Sequence, residues 1–120
     1  MPANKSPGLP DLLTSSEALA GVFAALGDPT RLKLIAVLCV GGAFSIAQLT
    51  ANTDISRQGV TKHLQVLADA GVVSHIKAGR ERVWQLDPLQ LEEAKKMLDV
   101  IGKEWDRTLG RLKMFAEATT

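Results

Sequence analysis

Five hydrogen-bond donors that fall on one helical face between positions 57 and 65 are the residues with the clearest potential for chemistry in this chain. They are Arg57, Gln58, Thr61, Lys62 and Gln65. At helical spacing these side chains share one face, and none of the five is acidic. The cations on such a face could bind phosphates, and the amide and hydroxyl groups could reach base edges in the major groove of DNA. A solvated polar helix face is the ordinary alternative, so the surrounding elements must decide between the two.

The helix that positions these donors is predicted between Ser56 and Gly71. Its opposite face carries Val60, His63, Leu64 and Leu67 at the spacing of a helix packed on a core. Ser56 is a favourable N-cap and also a candidate DNA contact, and Gly71 is a favourable stop. His63 is interpreted as a boundary histidine with one hydrogen bond, and a role in pH sensing or ligand binding remains the alternative.

Three helices are predicted before the donor helix. Their expected N-caps are Ser15 or Ser16, Asp28 and Ser45. The first helix should end at Leu26, the second at Gly41-Gly42 and the third near Ala51. Pro29 strengthens the second start, because the first helical position needs no N–H. Residues 52–54 form a tight turn before the donor helix, which completes a helix-turn-helix arrangement.

The pattern changes to two short strands after residue 71. Residues 72–77 and 81–86 are rich in β-branched and aromatic side chains, and Gly79 suits the turn between them. Three cations surround the tip of this predicted hairpin: Lys77, Arg80 and Arg82. Between positions 57 and 82 there are five basic and two acidic residues, a net +3, on a chain whose total charge is only +1. Such a local patch is typical of a site that attracts a polyanion.

A last helix is predicted from Asp87-Pro88 to about Ala116. Two rows, apolar except for Thr108, repeat every seven residues along it: Leu91, Leu98, Trp105 and Leu112, and Ala94, Ile101, Thr108 and Phe115. Rows at heptad spacing predict that this helix pairs with another helix. Packing on its own domain is the alternative. Trp105 is expected to lie in the contact between the paired helices. The alternative is that Trp105 lines an effector pocket.

Length and composition favour one globular domain. The chain has 120 residues, with 46% hydrophobic and 22% charged residues. Residues 1–13 contain three of the five prolines and are expected to be flexible, and residues 14–118 should form the domain. Cys39 is the single cysteine, and it is expected to be a small buried residue in a reducing compartment. No apolar run suits a membrane span and the N-terminus has no secretory pattern, so a cytoplasmic protein is expected.

Four motifs in order resemble the ArsR family of bacterial winged-helix repressors, over roughly residues 17–115. They are Leu26-Gly27-Asp28-Pro29-Thr30-Arg31-Leu32, the stretch from Ser56 to Leu64, the stretch from Leu67 to Val73, and Gly79-Arg80. The resemblance implies a mainly α-helical winged helix-turn-helix protein with five helices and a β-hairpin wing. It also implies a homodimer formed by the first and last helices, an operator with two-fold symmetry, and repression relieved by an inducer. The inducer, a small molecule or a protein, is not identified by the sequence.

The expected contacts of this protein follow from the resemblance together with the residue patterns. The predicted DNA contacts are Ser56, Arg57, Gln58, Thr61, Lys62, Gln65, Lys77, Arg80 and Arg82. The predicted dimer interface comprises Leu19, Val22, Leu91, Leu98, Ile101, Trp105 and Leu112. Arg31, early in the second helix, should either bridge to an acid or touch a phosphate.

Metal sensing is not expected. Metal sensors of the family carry a Cys-x-Cys motif in the third helix, or Asp and His ligands in the last helix. Here the third-helix positions are Ser45, Ile46 and Ala47, and the last helix contains no histidine. Thiolates and imidazoles are the groups that soft metals and zinc require, so no metal and no other cofactor is predicted.

Two functions remain open at the level of sequence. The first is a dimeric, sequence-specific DNA-binding repressor, and the second is a winged helix that binds proteins without reading DNA. A protein-binding module has no need of an acid-free donor face and a basic wing tip, so the charge distribution favours the repressor. An enzyme is not indicated, because the chain has no phosphate loop, no nucleophilic triad and no metal cluster.

Overall fold

The computed structural model describes the backbone of residues 9–118 and the side chains of residues 14–118. Its elements are α1 (Leu9–Leu26), α2 (Pro29–Gly41), β1 (Ala43–Ser45), α3 (Ile46–Ala51), α4 (Arg57–Asp69), β2 (Val73–Ala78), β3 (Glu81–Leu86) and α5 (Pro88–Ala118). Helices α3 and α4 form the helix-turn-helix, and β2 and β3 form the wing. The predicted fold class is confirmed.

Helix α1 begins earlier than the sequence pattern indicates. Its first residue is Leu9, whereas a cap at Ser15 or Ser16 was expected. Pro10 lies in the first turn, where a missing N–H costs no hydrogen bond, so the proline does not prevent the helix from starting there. Of the segment predicted to be flexible, residues 1–8 lie outside the described part of the chain.

Side-chain caps fix the starts of α2, α3 and α4 where they were predicted. Asp28 accepts hydrogen bonds from the backbone N–H groups of Thr30 and Arg31, at 2.9 and 3.0 Å. Ser45 and Gln48 form a reciprocal capping box, with distances of 2.8 and 3.2 Å. The Ser56 hydroxyl accepts from the Gly59 N–H at 3.1 Å. Each cap satisfies a helix N–H group that has no partner inside its helix.

The end of α4 depends on Gly71. This residue has a φ of +80°, a left-handed conformation that glycine adopts at little cost. The N–H of Val72 bonds the Leu67 carbonyl at 2.9 Å, and the N–H of Gly71 bonds the Ala68 carbonyl at 3.0 Å. These two bonds are those of a Schellman motif, and they turn the chain directly from α4 into the wing.

The sheet has one more strand than the sequence predicted. Its order is β1-β3-β2, with both pairings antiparallel. Strand β1 joins the base of the wing, where Phe44 pairs with Trp84. At the other end, Gly79 has a φ of +66° and makes the turn from β2 to β3. A three-residue strand whose partner lies forty residues away leaves no periodic signal, which is why β1 was missed.

One core joins all the helices and the base of the sheet. Its largest fully buried side chains are Leu34, Leu38, Leu49, Leu64, Leu67, Val22, Val60 and Val72. Leu19 and Val22 on α1 were predicted to line the dimer interface, and that prediction is wrong. They are 3% and 0% exposed inside a single chain, because α1 turns this face toward its own core. They therefore have no surface left to offer a partner.

Cys39 also departs from expectation, because its side chain is exposed. The buried face of α2 is set by Leu34 and Leu38, four residues apart. Cys39 lies one residue further and points outward, beside Val40, which is 91% exposed.

No helix in the described part of the chain is long and apolar enough to cross a membrane.

Candidate nucleic-acid interface

The outer face of α4 is exposed along its whole length. All five predicted donors on this face are exposed, and the first four line one open groove. The inner face is anchored: Val60, Leu64 and Leu67 are each 0% exposed. The helix therefore presents its polar side outward from a fixed position, as a helix that enters a major groove must.

Several of these side chains already use hydrogen-bonding groups within α4. The Thr61 hydroxyl donates to the Arg57 carbonyl at 2.9 Å, and the Gln65 amide donates to Asp69 at 2.9 Å. The hydroxyl of Ser56 caps the helix. Among the predicted DNA contacts on α4, three side chains make no such hydrogen bond within the helix: Arg57, Gln58 and Lys62. They are therefore the strongest candidates for direct contacts.

The wing brings further cations close to the start of α4. Lys77, Arg80 and Arg82 are all exposed. Arg80 and Arg82 share an open cleft with Arg57, and Ser45 and Glu81 also line it. Lys77 and Gln65 do not line this cleft. The cleft thus joins two regions that lie more than twenty residues apart in sequence.

The cations of this surface take part in none of the salt bridges seen in the described residues. Within residues 14–118, the salt bridges join Glu93 to Lys96 and Glu104 to Arg107, all on α5. None of the cations of α4 or the wing takes part in them. A group of unpaired cations around one cleft favours the binding of a polyanion.

A second exposed surface lies on α5. From residue 101 to residue 118 every side chain is exposed except Thr108, which is half-buried. The predicted interface residues Leu98, Ile101, Trp105 and Leu112 are 54%, 54%, 61% and 59% exposed. Leu91 instead packs partly against the core of its own chain.

The same α5 stripe includes Phe115, which belongs to the second predicted row and is 70% exposed, and Leu109, which is 45% exposed and lies outside both predicted rows. The helical spacing of Leu109 from Trp105 could have indicated it. A contiguous apolar stripe of this length is typical of a protein–protein interface.

A small polar cluster behind α4 was not predicted. The Arg31 guanidinium contacts the Ala25 carbonyl and the His63 ring, so neither an acid nor a phosphate is needed to explain its position. The backbone N–H of Arg31 is the main cause that lowers the pKa of Asp28. Partial burial opposes this shift, and the Arg31 charge, the backbone N–H of Thr30 and the His63 charge add to it. His63 is half-buried with one such contact, as the sequence predicted.

The described residues contain no group of three or more His, Cys, Asp or Glu side chains that could hold a metal ion. Ser45 and Ile46, at the third-helix positions noted above, carry neither a thiolate nor an imidazole.

Comparisons with known proteins agree on one family. Residues 26–76 match the family described as a helix-turn-helix domain. An HTH-type transcriptional regulator of Mycobacterium tuberculosis is 36% identical over 87 residues, covering 72% of this chain and 78% of the relative. The transcriptional repressor SdpR of Bacillus subtilis is 31% identical over 83 residues, covering 68% of this chain and 91% of the relative.

A solved structure extends the match to nearly the whole fold. It is an ArsR-like transcriptional regulator from Rhodococcus sp. RHA1, with a TM-score of 0.71 and 36% identity. The alignment covers 86% of this chain and 96% of that one. The chain, with its exposed donor helix and basic wing, belongs to the family of ArsR-like winged helix-turn-helix transcriptional regulators.

Proposed function

We propose that this protein is a homodimeric repressor that binds a DNA operator with two-fold symmetry. The observation that carries the proposal is the single cationic surface formed by the outer face of α4 and the wing. In each protomer α4 would enter the major groove, and the wing would contact the backbone or minor groove beside it. The relative SdpR is named a transcriptional repressor, which supports the same role for this protein.

The exposed stripe of α5 supports the homodimer. A second copy of the chain offers the same stripe, so the two can cover each other around a two-fold axis. Two copies of α4 would then face two half-sites of the operator. The protein would act through binding alone, and its inducer would be a molecule or protein that changes the dimer's affinity for DNA.

The direct test is a footprint of the purified protein on the DNA upstream of its own gene. Protection of two half-sites related by two-fold symmetry is expected. A protein that binds scrambled and upstream duplexes equally well, at every salt concentration, would not be the proposed repressor.

The proposal assigns different roles to Gln58 and Arg80. Gln58→Ala should cost roughly 1–3 kcal/mol on the operator and little on scrambled DNA, because an amide can read a base edge. Arg80→Ala should weaken binding to all sequences similarly and reduce the salt dependence by about one unit of slope, because one phosphate contact is lost.

Both variants would be titrated on operator and scrambled duplexes at several salt concentrations. Glu92→Ala on α5 is a suitable control, because this exposed residue lies outside the proposed DNA surface. If Gln58→Ala lowers both affinities equally while Arg80→Ala changes base preference, the two roles have been exchanged.

We also propose that metal ions do not control this repressor. The support is the chemistry of the residues at the family's sensor positions, which lack thiolate and imidazole groups. Calorimetric titration with zinc, and separately with a trivalent arsenical, should show no tight stoichiometric binding. A sub-micromolar site whose occupation changes the affinity for DNA would contradict this proposal.

A further inference from the structure

The polar cluster behind α4 joins three helices at one point. The Arg31 Nε donates to the Ala25 carbonyl, in the last turn of α1, at 2.5 Å. The Arg31 Nη1 lies 3.4 Å from Nδ1 of His63 on α4. Arg31 itself belongs to the first turn of α2, and its backbone N–H is held by Asp28. One guanidinium therefore contacts both the end of α1 and the inner side of the DNA-facing helix.

The contact between Arg31 and His63 requires a neutral imidazole. A guanidinium can only donate hydrogen bonds, so Nδ1 must be unprotonated to accept one. Protonated His63 has no acceptor and would place a second positive charge against Arg31. Both side chains are half-buried, so solvent screens this repulsion only in part.

The contact between Arg31 and His63 lies between the proposed dimer surface and the proposed DNA surface. Helix α1 packs against α5, which carries the exposed apolar stripe, and α4 carries the donor face. The Ala25 carbonyl at the end of α1 is a favourable partner for a cation, because carbonyl groups without helical partners collect at helix C-termini.

We infer that Arg31 is a positioning residue, which holds α4 against the end of α1 through His63 only while His63 is neutral. DNA affinity should therefore fall on acidification. The inference rests on the proposed DNA binding, and it adds a regulation to the same surface.

The groups that could influence a proton on His63 lie on α4 and on the elements packed against it. The elements packed against α4 are α1, α2, α3 and β2. Their charged and titratable groups within residues 14–118, together with the N-cap of α2, are Glu17, Asp28, Arg31, Lys33, Cys39, His75 and Lys77. On α4 itself they are Arg57, Lys62 and Asp69.

Of these groups, Arg31 contacts His63 directly, with its Nη1 at 3.4 Å from Nδ1. A proton on His63 would remove the acceptor at Nδ1 and place a positive charge beside the guanidinium. Acidification then replaces an attractive contact with a repulsive one.

The first test measures operator affinity at about pH 7.5 and about pH 5.5, the range in which imidazoles gain a proton. The wild-type protein should bind roughly threefold to tenfold more weakly at the lower pH, the effect of losing about one hydrogen bond. His63→Gln keeps an acceptor that does not titrate, so it should bind well and lose this pH dependence. His75→Gln replaces the only other histidine, on the exposed part of β2, and should retain it.

The second test separates positioning from a phosphate contact. Arg31→Lys keeps the charge but lacks the planar fork that reaches both partners. A positioning role predicts that Arg31→Lys and Arg31→Gln weaken operator binding similarly and leave the salt slope unchanged. Full binding by Arg31→Lys, with a shallower salt slope only for Arg31→Gln, would instead mean that Arg31 contacts a phosphate.

A third measurement does not depend on DNA. Hydrogen exchange of the α4 amides in the free protein, corrected for intrinsic pH effects, should show lower protection at the acidic pH in the wild type but not in His63→Gln. Equal loss of protection in both proteins would overturn the inference even if operator binding is confirmed. Conversely, if the wild type fails to distinguish operator from scrambled DNA, the proposed function is rejected while this exchange difference still decides the role of Arg31.

Discussion

Replacing Trp105 with glutamate is expected to convert the proposed dimer into a monomer. Trp105 is 61% exposed in the single chain and lies in the middle of the apolar stripe of α5. In a two-fold symmetric dimer, one substitution removes the side chain from both copies of the interface. A buried tryptophan commonly contributes about 2 kcal/mol or more to binding. Dimerisation should therefore weaken by roughly a thousandfold, before the cost of burying two carboxylates is added.

Met114→Glu provides a matched control on the same helix. Met114 is 71% exposed, but it lies nine residues from Trp105, or about two and a half turns, and so faces the opposite side of α5. Sedimentation velocity over a range of protein concentrations should show monomers for Trp105→Glu and dimers for Met114→Glu. A dimeric Trp105→Glu protein would show that this stripe is not the interface. The monomer should also lose most of its operator affinity, because only one half-site can then be occupied.

Truncation of Leu64 to alanine is expected to cause a large loss of folding stability. Leu64 is 0% exposed and is part of the core that holds α4 in place. Large-to-small changes at such sites typically cost about 2–5 kcal/mol, through lost transfer free energy and the cavity left behind. Because the same side chain fixes the orientation of the donor face, operator affinity should fall as well.

Val66→Ala is the appropriate comparison for this variant. Val66 is two residues away on the same helix and is 41% exposed, so its truncation should change stability by less than about 1 kcal/mol. Urea unfolding should be measured at one fixed protein concentration, because the stability of a dimer depends on concentration. Similar unfolding midpoints for Leu64→Ala and Val66→Ala would contradict the placement of α4 on the core.

The elements that sequence predicted correctly are those defined by local chemistry. Asp28 and Ser45 act as caps, and Gly71 adopts the positive φ that ends α4. Each signal operates within a few residues, so it can be recognised without knowledge of the fold. The donor face of α4 was predicted for the same reason, since helical spacing alone determines which side chains share a face.

The parts that could not be predicted depend on which elements meet. Helical spacing showed that Leu19 and Val22 share an apolar face of α1. Spacing alone does not show whether such a face packs on the core of its own chain or on a partner chain. The same limit applies to Arg31, whose partners are a carbonyl at the end of the preceding helix and a ring thirty-two residues further along. These contacts arise from tertiary packing and leave no local pattern.

Strand β1 divides the wing into two mechanically different halves. It pairs with β3 only from Val83 to Gln85, so those residues are bonded on both sides. Glu81 and Arg82 pair with β2 alone, and beyond them lies the turn. The base of the wing is therefore held by pairing on both sides of β3 and by the buried Trp84, whereas its charged end is held by the β2–β3 pairing alone. We expect this charged end to adjust to DNA grooves of different width. We also expect changes in its length or sequence to leave the packed part of the protein undisturbed.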